Sequence, residues 1–189
     1  MSDLEINGNT PQTVKKISAQ LRRVGWASFW LQLVLAVVST LIFLFAAPFA
    51  SGANNPGTGG SLIFALGGLV VLYGNTYWSF RYVMTSRKLK NPDLRPKKAE
   101  TIKLVQWGLM TSILGMALSV MGAESIAGTL LGKSLSSAAS FGMFSPDALS
   151  KIIQPLDIFI VLANTHTVTA HFIGIVSSLW LLNQINKQG

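Results

Sequence analysis

Trp26-Ala-Ser-Phe-Trp30-Leu-Gln32-Leu-Val-Leu-Ala-Val-Val-Ser39-Thr-Leu-Ile-Phe-Leu-Phe-Ala-Ala-Pro-Phe49 carries no charged residue. At a rise of about 1.5 Å per residue, a helix needs about 20 such residues to cross a hydrocarbon core of about 30 Å. Three further stretches are long and apolar enough: Leu62 to Val83, Leu104 to Gly122 and Leu156 to Leu182. Lipid offers no hydrogen bonds to a backbone, so each stretch must satisfy its own amides as a helix. A membrane barrel needs strands of about ten residues with alternating polarity, and that pattern is absent. The sequence therefore predicts an all-α integral membrane protein, a four-transmembrane-helix bundle.

Composition agrees. Half of the residues are hydrophobic and 12% are charged, against about 25% charged in soluble domains. The chain has no cysteine, which excludes disulfides, thiolate zinc sites and cysteine-held iron–sulfur clusters. Residues 1–10 are polar and are expected to form a disordered tail. The remainder, 11–189, reads as a single membrane domain with spans at about 26–49, 62–83, 104–122 and 156–182.

The net charge of +8 is unevenly placed. Lys15, Lys16, Arg22 and Arg23 precede the first span. Arg81, Arg87, Lys88, Lys90, Arg95, Lys97, Lys98 and Lys103 lie between the second and third, and Lys187 follows the fourth. Basic residues stay on the side where insertion begins, so both termini are expected on the cytoplasmic side. The charge reads as an orientation signal touching anionic lipid, not as a nucleic-acid surface. Asp3 and Glu5, and the lack of an apolar run before Trp26, suit neither a secretory signal nor a transit peptide.

Thr10-Pro11 reads as a helix start, and Val14, Ile17, Leu21 and Val24 form one apolar stripe flanked by basic residues. This predicts an N-terminal interfacial amphipathic helix or, equally, a helical extension of span one. Asn91-Pro92 and Arg95-Pro96 should break the helix between spans two and three. The segment from Ala123 to Pro155 reads as a helix extending from span three or lying at the outer surface, with a turn at Ser145-Pro146. Gly128 and Gly132 in it suggest close helix packing.

Ala127-Gly-Thr-Leu-Leu-Gly132-Lys133-Ser134 nearly matches a phosphate-binding loop, but such a loop needs a strand before it and a soluble domain around it. Nucleotide binding is not expected. In span four, Asp157, Asn164, His171 and Ser178 recur every seven residues and so share a helix face, with Thr167 beside them and His166 pointing elsewhere. Polar groups at membrane depth face a bundle interior or a water-filled path. They read either as a substrate path, joined by Gln32 of span one, or as hydrogen-bonding glue between helices. His171 lies near mid-membrane and needs a partner from another span, for which Gln32 is the expected one. Glu124, past the end of span three, could meet Asp157, and carboxylates with imidazoles suit ferrous or manganous ions. No catalytic triad or metalloprotease signature is present, so an enzyme is not expected.

Arg23-Val-Gly-Trp-Ala-Ser-Phe29-Trp30-Leu-Gln32-Leu33, Tyr77-Trp78-Ser79-Phe80, Ile113-Leu-Gly115-Met116, Leu156-Asp157-Ile-Phe159, Ala163-Asn164-Thr165-His166-Thr167 and His171-Phe172-Ile-Gly174 follow one another in a specific order and spacing. Together they resemble the family of the chloroplast inner-envelope translocon component, also described as the permease in chloroplasts. Its cyanobacterial relatives are otherwise grouped as a domain of unknown function. The resemblance covers Gln20 to Leu182. It implies two roles, iron transport and protein import, and carries over no established binding residue. The family commonly has asparagine where this chain has His166, which makes His166 a minor candidate metal ligand beside Glu124. The expectation is a transport-related protein without a bound cofactor, a permease for iron or another divalent metal, in a cyanobacterial plasma or thylakoid membrane. Its partners would be membrane lipids and further copies of itself or other membrane proteins. The alternative is a non-transporting subunit or assembly factor for protein translocation or membrane-protein complexes.

Overall fold

The computed structural model describes residues 3–50, 58–139 and 153–187. Four helices make up nearly all of them: α1 Asp3–Ala50, α2 Thr58–Lys90, α3 Lys98–Ala139 and α4 Pro155–Lys187. All four are long and apolar enough to cross a membrane. They alternate up and down as a bundle. Helix α1 packs on α2 and α4, α3 packs on the same two, and of the two diagonals only α2 meets α4.

Each helix exceeds its apolar run. At 48 residues, α1 is about 72 Å long. It takes up residues 3–10, the stretch the sequence reading leaves disordered. Once a helix exists, each added residue gains a hydrogen bond without a new nucleation cost. The amphipathic stripe is an extension of span one and not a separate surface helix. Leu21 is fully buried, and Val14, Ile17 and Val24 pack into the same cluster as Tyr82, Leu89, Leu104, Val105, Leu181 and Ile185. That cluster closes the end of the bundle where the basic residues gather. Helix α3 likewise carries span three on through 123–139. The turn at Ser145-Pro146 lies outside the described residues.

Between α2 and α3 the two prolines act as expected. Helix α2 stops at Lys90, and Pro92–Leu94 form a short 3-10 turn. Asn91 caps it by accepting the Asp93 amide at 3.2 Å.

The bundle interior holds many polar and small side chains beside its apolar clusters, and its outer surface is apolar. Ser28, Gln32, Ser39, Asn75, Ser79, Ser112, Ser119, Asn164, His171 and Ser178 are buried, whereas Phe45 is 74% and Val70 70% exposed. A protein in water could not hold that surface; in hydrocarbon it meets its own kind. In α1 the buried positions between residues 12 and 46 are Ser18, Leu21, Gly25, Ser28, Gln32, Ala36, Ser39, Phe43 and Ala46, at steps of three and four. That spacing suits helices packing at shallow angles. At the basic end an aromatic girdle of Trp26, Phe29, Trp30, Tyr77, Trp78 and Phe80 links α1 and α2, with Phe29 and Phe80 at 5.9 Å between centroids. Arg81 lies exposed beside it, 5.7 Å from the Trp78 ring and 6.0 Å from that of Tyr77. Aromatic rings with a cation mark the headgroup level.

Candidate functional site

The seven-residue stripe of α4 faces inward. Asn164, His171 and Ser178 are buried, as is Thr167. Asn164 bonds to α3, and His171 and Ser178 bond to α2, and together they form a polar column along the bundle axis.

At the end remote from the basic residues, Asp157 is held by Lys133 of α3, with Nζ donating to both carboxylate oxygens at 2.8 and 2.9 Å. The Gln154 amide donates to the same carboxylate at 2.9 Å. This engagement replaces the expected meeting with Glu124, which is exposed on α3. Two helical turns further into α4, Asn164 Nδ2 donates to the Ser119 carbonyl at 3.0 Å. Nearby, Ser39 of α1 donates to the Ala163 carbonyl at 2.9 Å. The Thr167 hydroxyl returns to the Ala163 carbonyl of its own helix at 3.0 Å.

His171 occupies the middle of the column. Its partner comes from another span, as expected, but is not Gln32. Nε2 lies 3.1 Å from the Gly68 carbonyl of α2. A carbonyl only accepts, so Nε2 carries the proton, and the Nδ1 of a neutral ring is left with a free lone pair. The ring fits because α3 has Gly115 there; a Cβ at that position would overlap the imidazole.

One turn further, Gly174 is the meeting point of the other three helices. A Cβ there would run into Asn75 of α2, would lie 2.6 Å from Ser112 Oγ of α3 and 2.8 Å from Gln32 Nε2 of α1. The groups bond among themselves. Ser112 donates to Asn75 Oδ1 at 2.8 Å, and Ser79 donates to Gln32 Oε1 at 3.0 Å. Gln32 Nε2 reaches the Ala170 carbonyl at 3.4 Å. Below this cluster the Tyr82 hydroxyl and Ser178 share a bond of 3.1 Å.

Asn75, Ser79, Ser112 and Ser119 are column residues that the reading of span four did not reach. For Ser112 and Ser119 the signal is in the sequence: Gly108, Ser112, Gly115, Ser119 and Gly122 make a small-residue stripe at steps of four and three on α3. All five are buried.

The column leaves polar capacity unused. Asn75 Nδ2, Asn164 Oδ1 and His171 Nδ1 are buried without a partner. His166 lies partly buried on another side of α4, its Nδ1 also unpartnered. Among the described residues no group of three or more His, Asp or Glu side chains is placed to hold a metal ion. The glycines expected to pack a neighbouring helix, Gly128 and Gly132, face open space within the chain.

The chain is 30% identical over 177 residues to Protein TIC 21, chloroplastic, of Arabidopsis thaliana. The match takes in 91% of this chain and 58% of the relative, so the chain spans a little over half of that protein's length. No solved structure matches. The model of the family described as proteins of unknown function, DUF3611, matches residues 11–186. This four-helix membrane protein, with its polar column, belongs to the DUF3611 family and is a relative of TIC 21.

Proposed function

We propose that the protein works in transport across its membrane as a permease for iron or another divalent metal, with His171 and the cluster around Gly174 on the route. The observation that carries this reading is the unused hydrogen-bonding capacity of Asn75 Nδ2, Asn164 Oδ1 and His171 Nδ1. An interface built only for cohesion pairs its buried polar atoms, because each orphan costs roughly 1–3 kcal/mol. Atoms kept unpaired at membrane depth suit a passing polar solute. Amide oxygen and imidazole nitrogen are donors that ferrous and manganous ions accept. The column is packed shut at Gly115 and Gly174, so passage requires α3 and α4 to separate and re-form, as rigid helices do in alternating access. The Lys133–Asp157 pair sits across one mouth of that route. The basic end is proposed to face the cytoplasm of a cyanobacterial cell, with the bundle in its plasma or thylakoid membrane.

A second reading is favoured by a different observation. Leu131 and Leu135 are 61% and 64% exposed beside the open Gly128 and Gly132. That α3 extension suits a subunit or assembly factor that holds a partner helix and transports nothing. The discriminating experiment is depletion of the protein in cells. A permease lowers cellular iron before membrane-protein assembly suffers. Normal iron together with a stoichiometric partner in mild detergent would overturn the permease reading.

A further inference from the structure

A groove of about 450 Å³ lies at the basic end, lined by Val14, Lys15, Ser18 and Ala19 of α1, Leu89 and Lys90 of α2, and Arg95. Its floor is apolar. Ser18, the polar group in the floor, has spent its hydroxyl on the Ser86 carbonyl at 2.7 Å. Its rim is cationic. Lys15, Lys90 and Arg95 are all exposed, and Arg95 is anchored by its Nε donating to the Leu89 carbonyl at 3.3 Å. No carboxylate from residue 12 onward whose side chain is described pairs with these three; the ion pair found there is Lys133–Asp157 at the other end. Three cations around an apolar trough form an arrangement with a missing partner.

Depth decides what that partner is. Lys15 precedes Trp26 by 11 residues and Lys90 follows Trp78 by 12, or about 16 and 18 Å along a helix. Both tryptophans belong to the aromatic girdle at headgroup level. The headgroup layer is only about 5–8 Å thick on each side, so the groove stands clear of the lipid. A lone phosphate would use the rim and leave the apolar floor wet. Nucleic acid binding of this kind draws on aromatic stacking, and the groove has no aromatic lining.

We propose that this groove is a docking site for an acidic segment of a soluble or membrane-associated protein, one that presents an apolar side chain between carboxylates. Carboxylates meet Lys15, Lys90 and Arg95, and the apolar side chain covers Val14, Ala19 and Leu89. The site stands on the α1 extension and the α2–α3 turn, and it holds whether or not the bundle transports.

The test uses the full chain in phosphatidylcholine nanodiscs and a fluorescein-labelled peptide of glutamates with interspersed leucines, read by anisotropy. Binding should saturate and weaken as salt rises. The double variant Lys90→Glu, Arg95→Glu should weaken it by roughly tenfold or more. Ala19→Trp keeps every cation but fills the trough, and should weaken it comparably. Lys103→Glu, a basic position of α3 outside the groove, should change little. Thermal melts confirm that each variant stays folded. Equal losses from Lys103→Glu and the groove double variant would mean diffuse charge and overturn the site. So would undiminished binding by Ala19→Trp, or equal affinity for a polyglutamate without leucine. Groove variants that spare the peptide but lose phosphatidylglycerol vesicles or an oligoribonucleotide would likewise overturn an acidic protein segment as the occupant.

Discussion

The imidazole of His171 on α4 occupies the space that a side chain at Gly115 of α3 would fill. The ring is fully buried at that contact and donates to the Gly68 carbonyl of α2. One side chain thus ties three helices together, and the glycine opposite is a requirement of its size.

Gly115→Ala should destabilise the bundle by about 1–3 kcal/mol, the usual cost of forcing extra volume into a packed interior. The imidazole ring is rigid and cannot fold away as a lysine tip would. Gly128→Ala is the control: nothing lies within 4 Å of the Cβ position there. That variant should be neutral or slightly stabilising. Thermal unfolding in mild detergent checks both, and an unshifted Gly115→Ala melt would contradict the packing described.

His171→Leu should cost about 1 kcal/mol or less in the same assay. The Gly68 carbonyl is inside α2 and keeps its helical hydrogen bond when the imidazole goes, so little is orphaned. A loss of several kcal/mol would mean that the ring supports the bundle more than one carbonyl contact can explain.

Lys133 and Asp157 are each only about one-sixth exposed, at 16% and 17%. A double-mutant cycle with Lys133→Gln and Asp157→Asn should give a coupling of about 0.5–1 kcal/mol that shrinks with added salt. Zero coupling at low salt would remove this pair as a clasp between α3 and α4.

Orientation is checked with single cysteines, since the chain has none of its own. Ser134 and Asp93 are exposed at opposite ends of the bundle. An impermeant thiol reagent added outside should label Ser134→Cys and spare Asp93→Cys. The reverse pattern would invert the proposed topology.

Much of this structure is legible in the sequence, for identifiable reasons. Spans are set by lipid, which demands long apolar runs, so their number and order follow from hydropathy. The inward face of α4 follows from Asp157, Asn164, His171 and Ser178 because a seven-residue step nearly closes on a helix. The end of span three does not follow. From Ala123 on, the sequence allows either an extension of that helix or a segment at the outer surface, and the structure has the extension, to Ala139, with Glu124 exposed. The partner of His171 was also beyond reach. A main-chain carbonyl such as that of Gly68 has no signature in the sequence, whereas Gln32 advertises its amide. What the alternation of Gly108, Ser112, Gly115, Ser119 and Gly122 does announce is a face for close approach, and the imidazole ring lies on it.

Iron uptake by liposomes that contain only the purified protein tests the transport account most directly, with His171→Gln measured beside the unmodified chain. Glutamine keeps a hydrogen-bond donor for the Gly68 carbonyl but removes the imidazole lone pair at the centre of the column. The account predicts ferrous uptake by the unmodified protein and a rate reduced by roughly tenfold or more in the variant, while its melting temperature and oligomer size persist. Full uptake by a stable His171→Gln protein, or none by the unmodified one, would contradict it.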